Sequence, residues 1–136
     1  MRTLVVYYSY SGNTKRLAKE LAAKESADTI EITDVRRPGK FKAYTAGCFA
    51  AMKGKAWPIK PLPNFMSDCD RLILFSPVWA GNPPPAVFAA LKLLPAGKRV
   101  DVKMVSGSGN CGCKERLAEI IAAEGSILAS FENIKA

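Results

Sequence analysis

Five short apolar stretches recur along the chain and predict the strands of one sheet. Residues 4–8 and 72–75 are continuous apolar runs, a pattern typical of strands that are buried on both faces of a parallel sheet. Residues 29–33 and 100–104 alternate polar with apolar side chains, which favours a sheet edge or one solvated face. A fifth strand is predicted over residues 127–131.

Segments with helical spacing separate these strands. Leu17, Ala18, Leu21 and Ala22 share one side of a predicted helix that begins near Thr14. Further helices are predicted over residues 86–94, after three prolines that suit a helix start, and over residues 113–123. Residues 40–70 are less regular, with a short helix over 43–52 and then a proline-spaced connection. The alternation predicts one α/β domain over residues 1–136, with helices on both faces of a parallel sheet.

Three loops of small residues follow the first, third and fourth predicted strands. Ligands bind outside the carboxyl ends of the strands in doubly wound sheets, so the three loops should converge at one edge. The first loop precedes a helix whose unpaired N–H groups suit an anion. Ser9, Ser11 and Thr14 add hydroxyls, and Gly12 allows close backbone approach. The pattern predicts a phosphate site.

The three loops in this order resemble those of the flavodoxin family, and the resemblance covers nearly the whole chain. It implies a doubly wound sheet of order 2-1-3-4-5 and bound FMN. Loop one of the implied site consists of Ser9, Tyr10, Ser11, Gly12, Asn13 and Thr14. Loop two consists of Pro77, Val78, Trp79, Ala80, Gly81 and Asn82, and loop three of Ser106, Gly107, Ser108 and Gly109.

The resemblance also implies a role for each loop. Loop one would bind the phosphate of FMN, Trp79 would stack on the isoalloxazine ring, and the backbone near Ala80 and Gly81 would meet its N5 edge. Loop three would contact the pyrimidine end. The implied function is electron transfer through bound flavin. The alternatives are an NAD(P)H-dependent flavin or quinone reductase on the same fold, and an interaction domain without flavin.

The chain departs from the family pattern after the last predicted strand, where the family has a fifth helix and this sequence has none. Arg99, Asp101 and Lys103 would then lie on an exposed face of the fourth strand, with Ser130 and Glu132 beside them on the fifth. We expect this face to tolerate solvent or a partner, and a dimer over it is one arrangement.

The net charge of +8 comes almost entirely from residues 36–60, which contain seven basic residues and no acid. This segment favours a solvated face over nucleic-acid binding, and the charge would allow a redox partner protein to be acidic. The absence of His excludes a His-based triad or metal site. No signal peptide or membrane span is evident, so we expect a reduced cytoplasmic protein. Cys111 and Cys113 are expected to have no redox or metal role.

Overall fold

A computed structural model describes residues 2–109 and 111–136. Five strands form one sheet of order β2-β1-β3-β4-β5, and every neighbouring pair is parallel. This confirms the sheet order implied by the family resemblance. The strands are β1 (Thr3–Tyr7), β2 (Asp28–Glu31), β3 (Arg71–Pro77), β4 (Arg99–Ser106) and β5 (Ile127–Lys135).

Helices flank the sheet at the predicted places. They are α1 (Asn13–Glu25), α2 (Lys40–Lys42), α3 (Cys48–Met52), α4 (Pro85–Leu91) and α5 (Lys114–Ala123). A π-helical turn (Ala43–Gly47) joins α2 to α3, so residues 40–52 form one continuous helical segment, and a 3-10 turn (Asn64–Asp68) precedes β3. Among the described residues, no helix has the length and apolar character needed to cross a membrane.

The core lies on both sides of the sheet because successive strand residues point to opposite faces. On one side, Leu4, Leu72 and Val100 belong to a large cluster with Phe88 of α4 and Leu117 of α5. On the other side, a smaller cluster includes Ala18 and Ala22 of α1, whose third buried residue is Thr14. The central strands β1 and β3 therefore lie between helices on both faces of the sheet.

The face of β4 and β5 beside α1 carries no helix among the described residues, in line with its polar pattern. The expected exposure of Asp101 is wrong, however, because only 2% of this residue is accessible. Arg71 Nε donates a hydrogen bond to one carboxylate oxygen, and Ser130 Oγ donates to the other at 2.5 Å. A neighbouring pair joins Lys103 Nζ to Glu132 at 2.6 Å. Asp101 is buried by polar neighbours rather than by a helix.

A bulge in β5 produces this arrangement. Leu128 pairs with Val100 and Ser130 pairs with Asp101, so Ala129 is one extra residue on β5. The extra residue reverses the alternation of β5 from that point onward. Consequently Leu128 and Phe131, three positions apart, both pack against the large core cluster, and Ser130 lies beside Asp101.

Candidate functional site

A cleft of about 950 Å³ lies at the carboxyl ends of β1 and β3. This volume is in the range of small-molecule sites. Three parts of the chain surround it: loop one, loop two, and residues 37–48. Its lining consists of Tyr10, Ser11, Arg37, Pro38, Gly39, Lys40, Ala43, Tyr44, Cys48, Val78, Trp79 and Ala80.

Loop one forms an open turn at the start of α1. Gly12 has a φ of 107°, and its N–H donates to Ser9 Oγ at 3.0 Å. A Cβ on Gly12 would meet no atom within 4 Å, although the left-handed φ still favours glycine there. No side chain caps α1, and its first turn contains no acid. The first N–H groups of the helix are therefore suited to an anion at this loop.

Tyr10 connects loop one to the chain after β2. Its hydroxyl donates to the carbonyl of Pro38 at 2.8 Å. Arg37 donates in return to the carbonyl of Tyr10 at 2.6 Å, and its guanidinium lies 4.4 Å from the centre of the tyrosine ring. These three contacts fix the separation of two sides of the cleft.

A buried pair lies beneath this connection. Tyr8 donates its hydroxyl proton to Asp34 at 2.6 Å, and both residues are buried. Burial raises the pKa of the Asp34 carboxyl, although the Tyr8 hydrogen bond and the charge of Arg37 oppose the shift. Burial and the same carboxyl raise the pKa of Tyr8 well above its usual range. Tyr8 therefore remains a neutral donor.

Loop two is a tight turn that presents Trp79 to the cleft. The N–H of Trp79 donates to the carbonyl of Asn82 at 2.7 Å, and the reverse bond measures 3.1 Å. Ala80 and Gly81 between them both have positive φ, at 52° and 79°. Such a turn favours glycine at both central positions, so Ala80 carries backbone strain.

The Trp79 ring is fixed by three neighbours. Tyr8 and Tyr10 meet it edge-on, with ring centres 6.2 and 5.7 Å away. Gly47 of the π-helical turn lies against the ring so closely that a Cβ there would be 2.7 Å from Trp79 Cζ3. The ring is partly buried against the core and also lines the cleft. Core packing and a place in the cleft lining thus coincide at this residue.

Loop two is also attached to the start of α5. In its neutral form the Cys111 thiol donates to the carbonyl of Gly81 at 3.1 Å. Arg116 donates to Asn82 Oδ1 at 3.1 Å and to the carbonyl of Met52 at 3.0 Å. A hydrogen bond from the Cys113 thiol lowers the pKa of Cys111 to about 7, against the effect of burial. Cys113, the donor, has a raised pKa.

The structure brings together most of loop one and loop two but places loop three apart from the cleft lining. Tyr10, Ser11, Val78, Trp79 and Ala80 line the cleft. Among the other predicted residues of these two loops, Ser9, Gly12, Asn13 and Thr14 adjoin it at the start of α1, and Pro77, Gly81 and Asn82 frame the turn.

Loop three lies at the end of β4, where Ser106 Oγ accepts a bond from the N–H of Gly109 at 3.0 Å. A Cβ on Gly109 would lie 3.0 Å from the Cβ of Lys135 in β5. Gly107 and Ser108 between them are exposed. The assignment of Ser106, Gly107, Ser108 and Gly109 to a ligand stays a prediction.

Sequence reasoning did not place the third side of the cleft, formed by residues 37–48. Arg37, Tyr44 and Cys48 line it. The sequence offers Tyr44, like Trp57, as an aromatic residue to flank a flavin, but it indicates only a short helix after a basic turn and does not locate either ring. The available signal was Gly47 within a helical pattern, because a glycine in a helix costs stability unless something packs closely against it.

Comparison with known proteins gives matches to solved structures alone: no family model and no curated protein sequence matches the chain. A flavoprotein from Lactobacillus acidophilus NCFM in complex with FMN has 22% identity and a TM-score of 0.77, over 96% of this chain and 91% of that one. A flavoprotein from Bacteroides eggerthii DSM 20697 has 21% identity and the same TM-score of 0.77, over 96% and 86%. Oxidised flavodoxin 1 from Bacillus cereus has 17% identity and a TM-score of 0.56, over 100% and 86%.

The chain has the flavodoxin-like fold. Since these identities are low, the likeness establishes the architecture and leaves the ligand to the chemistry of the cleft. In this flavodoxin-like chain, the cleft lies at the edge of the sheet where ligands of doubly wound folds bind.

Proposed function

We propose that this chain binds FMN in the cleft and transfers electrons through the bound flavin. One observation carries the proposal: the open, uncapped start of α1 adjoins a cleft lined by Tyr10, Tyr44 and Trp79. An anion site beside aromatic side chains fits a ligand that has a phosphate at one end and a flat ring at the other. The FMN complex of the Lactobacillus acidophilus flavoprotein supports the same assignment.

The residues of the chain would divide the binding between them. Backbone N–H groups at the start of α1, with Ser11 and Asn13, would bind the phosphate. Trp79 would position the ring, and its packing against Gly47 and the two tyrosines limits its motion. Bound FMN would supply the redox chemistry, which requires no acid or base from the protein.

The form of the cleft supports a carrier. It opens to solvent at Tyr44, which is 80% exposed, and at the exposed residue Ala80. An open mouth suits the transfer of electrons to or from another protein. Steady oxidation of NADPH with a quinone, dependent on the protein, would instead support the reductase alternative.

Titration of the protein with FMN tests the proposal directly. Flavin fluorescence should be quenched at micromolar protein, and Trp79→Ala should weaken binding by about 1 to 3 kcal/mol because it removes the stacking ring. Trp57→Ala is a matched control, since Trp57 is also partly buried but does not line the cleft. Absence of quenching in the unmodified protein would overturn the cofactor assignment. Equal effects of the two substitutions would remove Trp79 from the site.

A further inference from the structure

Large apolar side chains are exposed together beside the cleft. Among the described residues, Phe41 and Tyr44 have the highest exposures of this kind, at 82% and 80%. Phe49 and Met52 are exposed a few positions further along the same helical segment. Isolated exposed apolar residues are ordinary, but four of them within one helical segment indicate an interaction surface. We refer to these four side chains and the lysines of the same stretch as the 40–55 surface. It consists of Phe41, Tyr44, Phe49, Met52, Lys40, Lys42, Lys53 and Lys55.

Positive charge surrounds these side chains, and the segment that carries it contains no acid. Residues 36–60 contain seven basic residues and no acid. Within the described part of the chain, no ion pair involves any of these seven bases. Two lysines lie over aromatic rings instead, Lys42 at 5.5 Å from Trp57 and Lys53 at 4.9 Å from Phe49. The charge of the 40–55 surface is therefore available to an external acid.

The 40–55 surface is continuous with the mouth of the cleft. Lys40 and Tyr44 belong to the helical segment and also line the cleft. The segment is held to the rest of the molecule by the contact of Gly47 with Trp79 and by the bond from Arg116 to the carbonyl of Met52. A molecule seated on this surface would therefore also cover the opening of the cleft.

We propose that the 40–55 surface docks an acidic redox protein that exchanges electrons with the flavin. This inference rests on the proposed function, because the partner would donate electrons to FMN or accept them from it. Carboxylates of the partner would pair with Lys42, Lys53 and Lys55, while its apolar centre would cover Phe41. An apolar centre with a charged rim is the usual anatomy of a protein interface. An anionic membrane would match the charge but would offer no electron donor or acceptor at the cleft.

Two triple variants of equal net charge test the location of the docking surface. Each Lys→Glu change removes two charge units, so both variants carry about +2 in place of the native +8. The first variant reverses the charge of three lysines of the 40–55 surface that do not line the cleft. The second reverses the charge of exposed lysines on α1 and just after α4. The variants are Lys42→Glu with Lys53→Glu and Lys55→Glu, and Lys19→Glu with Lys24→Glu and Lys92→Glu.

The probe is an acidic [2Fe–2S] ferredoxin. In stopped-flow mixing, the reduced ferredoxin transfers its electron to the FMN-loaded protein, and the flavin absorbance reports the rate. At low salt the surface variant should react at least about tenfold more slowly than the native protein, and the control variant less than about threefold more slowly. The difference should disappear near about 0.5 M salt, because the charges are then screened. The Kd for FMN should be the same in all three proteins.

A second measurement separates docking from flavin binding. Biolayer interferometry of flavin-free protein on immobilised ferredoxin should show the same order of affinities, so the surface can be tested even if FMN does not bind. Phe41→Ser should weaken this binding several-fold at low and high salt alike, because the loss is apolar. Salt-independent loss is not expected from a change in charge.

Several outcomes would overturn the docking assignment. Equal slowing of both triple variants would mean that only net charge matters, and no slowing of either would remove the surface altogether. Vesicles containing about one third phosphatidylserine provide the remaining comparison. If the native protein and the control variant bind these vesicles, the surface variant does not, and ferredoxin rates are unchanged, the surface is a membrane contact and the proposal is wrong.

Discussion

Replacement of Gly47 by Ala tests how closely the helical segment packs against Trp79. The added Cβ would lie 2.7 Å from Cζ3 and 3.2 Å from Cε3 of the indole ring. Ordinary carbon contacts need about 3.5 to 4.0 Å, so the ring or the helix must move by about 1 Å. Tyr8 and Tyr10 meet the ring edge-on, and Tyr8 is itself held by Asp34, so the displacement cannot be absorbed by the ring alone.

Two opposing terms set the expected change in stability. Overpacking of this kind costs about 1 to 3 kcal/mol. Exchange of glycine for alanine within a helical segment contributes up to about 1 kcal/mol in the opposite direction. We therefore expect the free energy of unfolding to fall by about 1 to 2 kcal/mol. Displacement of Trp79 should also raise the Kd for FMN about tenfold, equivalent to about 1.4 kcal/mol.

Urea unfolding and FMN titration of the same samples check both values. Gly39→Ala is the control, because Gly39 also lines the cleft and has a φ of −67°, yet a Cβ there would meet nothing within 4 Å. This control should change stability and Kd only slightly. A Gly47→Ala protein that is about 1 kcal/mol more stable than the native one, with an unchanged Kd, would refute the close packing.

Three further predictions concern titrating groups. Because the pKa of Asp34 is raised, the folded state favours its protonated form, and stability falls as pH rises through that pKa. Asp34→Asn keeps an acceptor for Tyr8 and should remove this fall from the urea-derived stability measured above about pH 4. Burial opposes the ionisation of Asp101, but hydrogen bonds from Ser130 and Arg71 outweigh burial and lower the pKa of the carboxyl. The contribution of Asp101 to stability is therefore lost as pH falls through that lowered pKa. Asp101→Asn should lower the free energy of unfolding by about 3 kcal/mol at pH 7 and by less in acid. Alkylation of Cys111 by iodoacetamide, followed by mass spectrometry, should reach half its maximal rate near pH 7, because the pKa of this thiol is lowered to about 7. A midpoint near the ordinary thiol pKa of about 9 would contradict this.

The central strands could be predicted from the sequence because their pattern is local. Continuous apolar runs at residues 4–8 and 72–75 correspond to β1 and β3, which are buried on both faces. The polar alternation of residues 29–33 also identifies β2 as an edge strand. In each case the environment of a residue follows from its position along one strand.

Features that depend on contacts between distant residues could not be predicted in this way. The burial of Asp101 depends on Arg71, which is 30 positions away, and on Ser130, which the bulge brings into register. Likewise, loop two could be recognised by its residues, but the position of Tyr44 at the cleft depends on how the helical segment folds against Trp79. The sequence contains these side chains without indicating their separation in space.

The extra residue in β5 allows this strand to change in length without changing the face to which its core side chains point. Deletion of a residue within a regular strand turns every later side chain to the opposite face. Here Leu128 and Phe131 already face the same side because Ala129 is unpaired, and without Ala129 they would be two positions apart and still face that side. A change in the number of residues at this position thus need not move the later side chains of β5 to the opposite face of the sheet. The strand that borders the open face is the one that can change in length while its core residues stay in place.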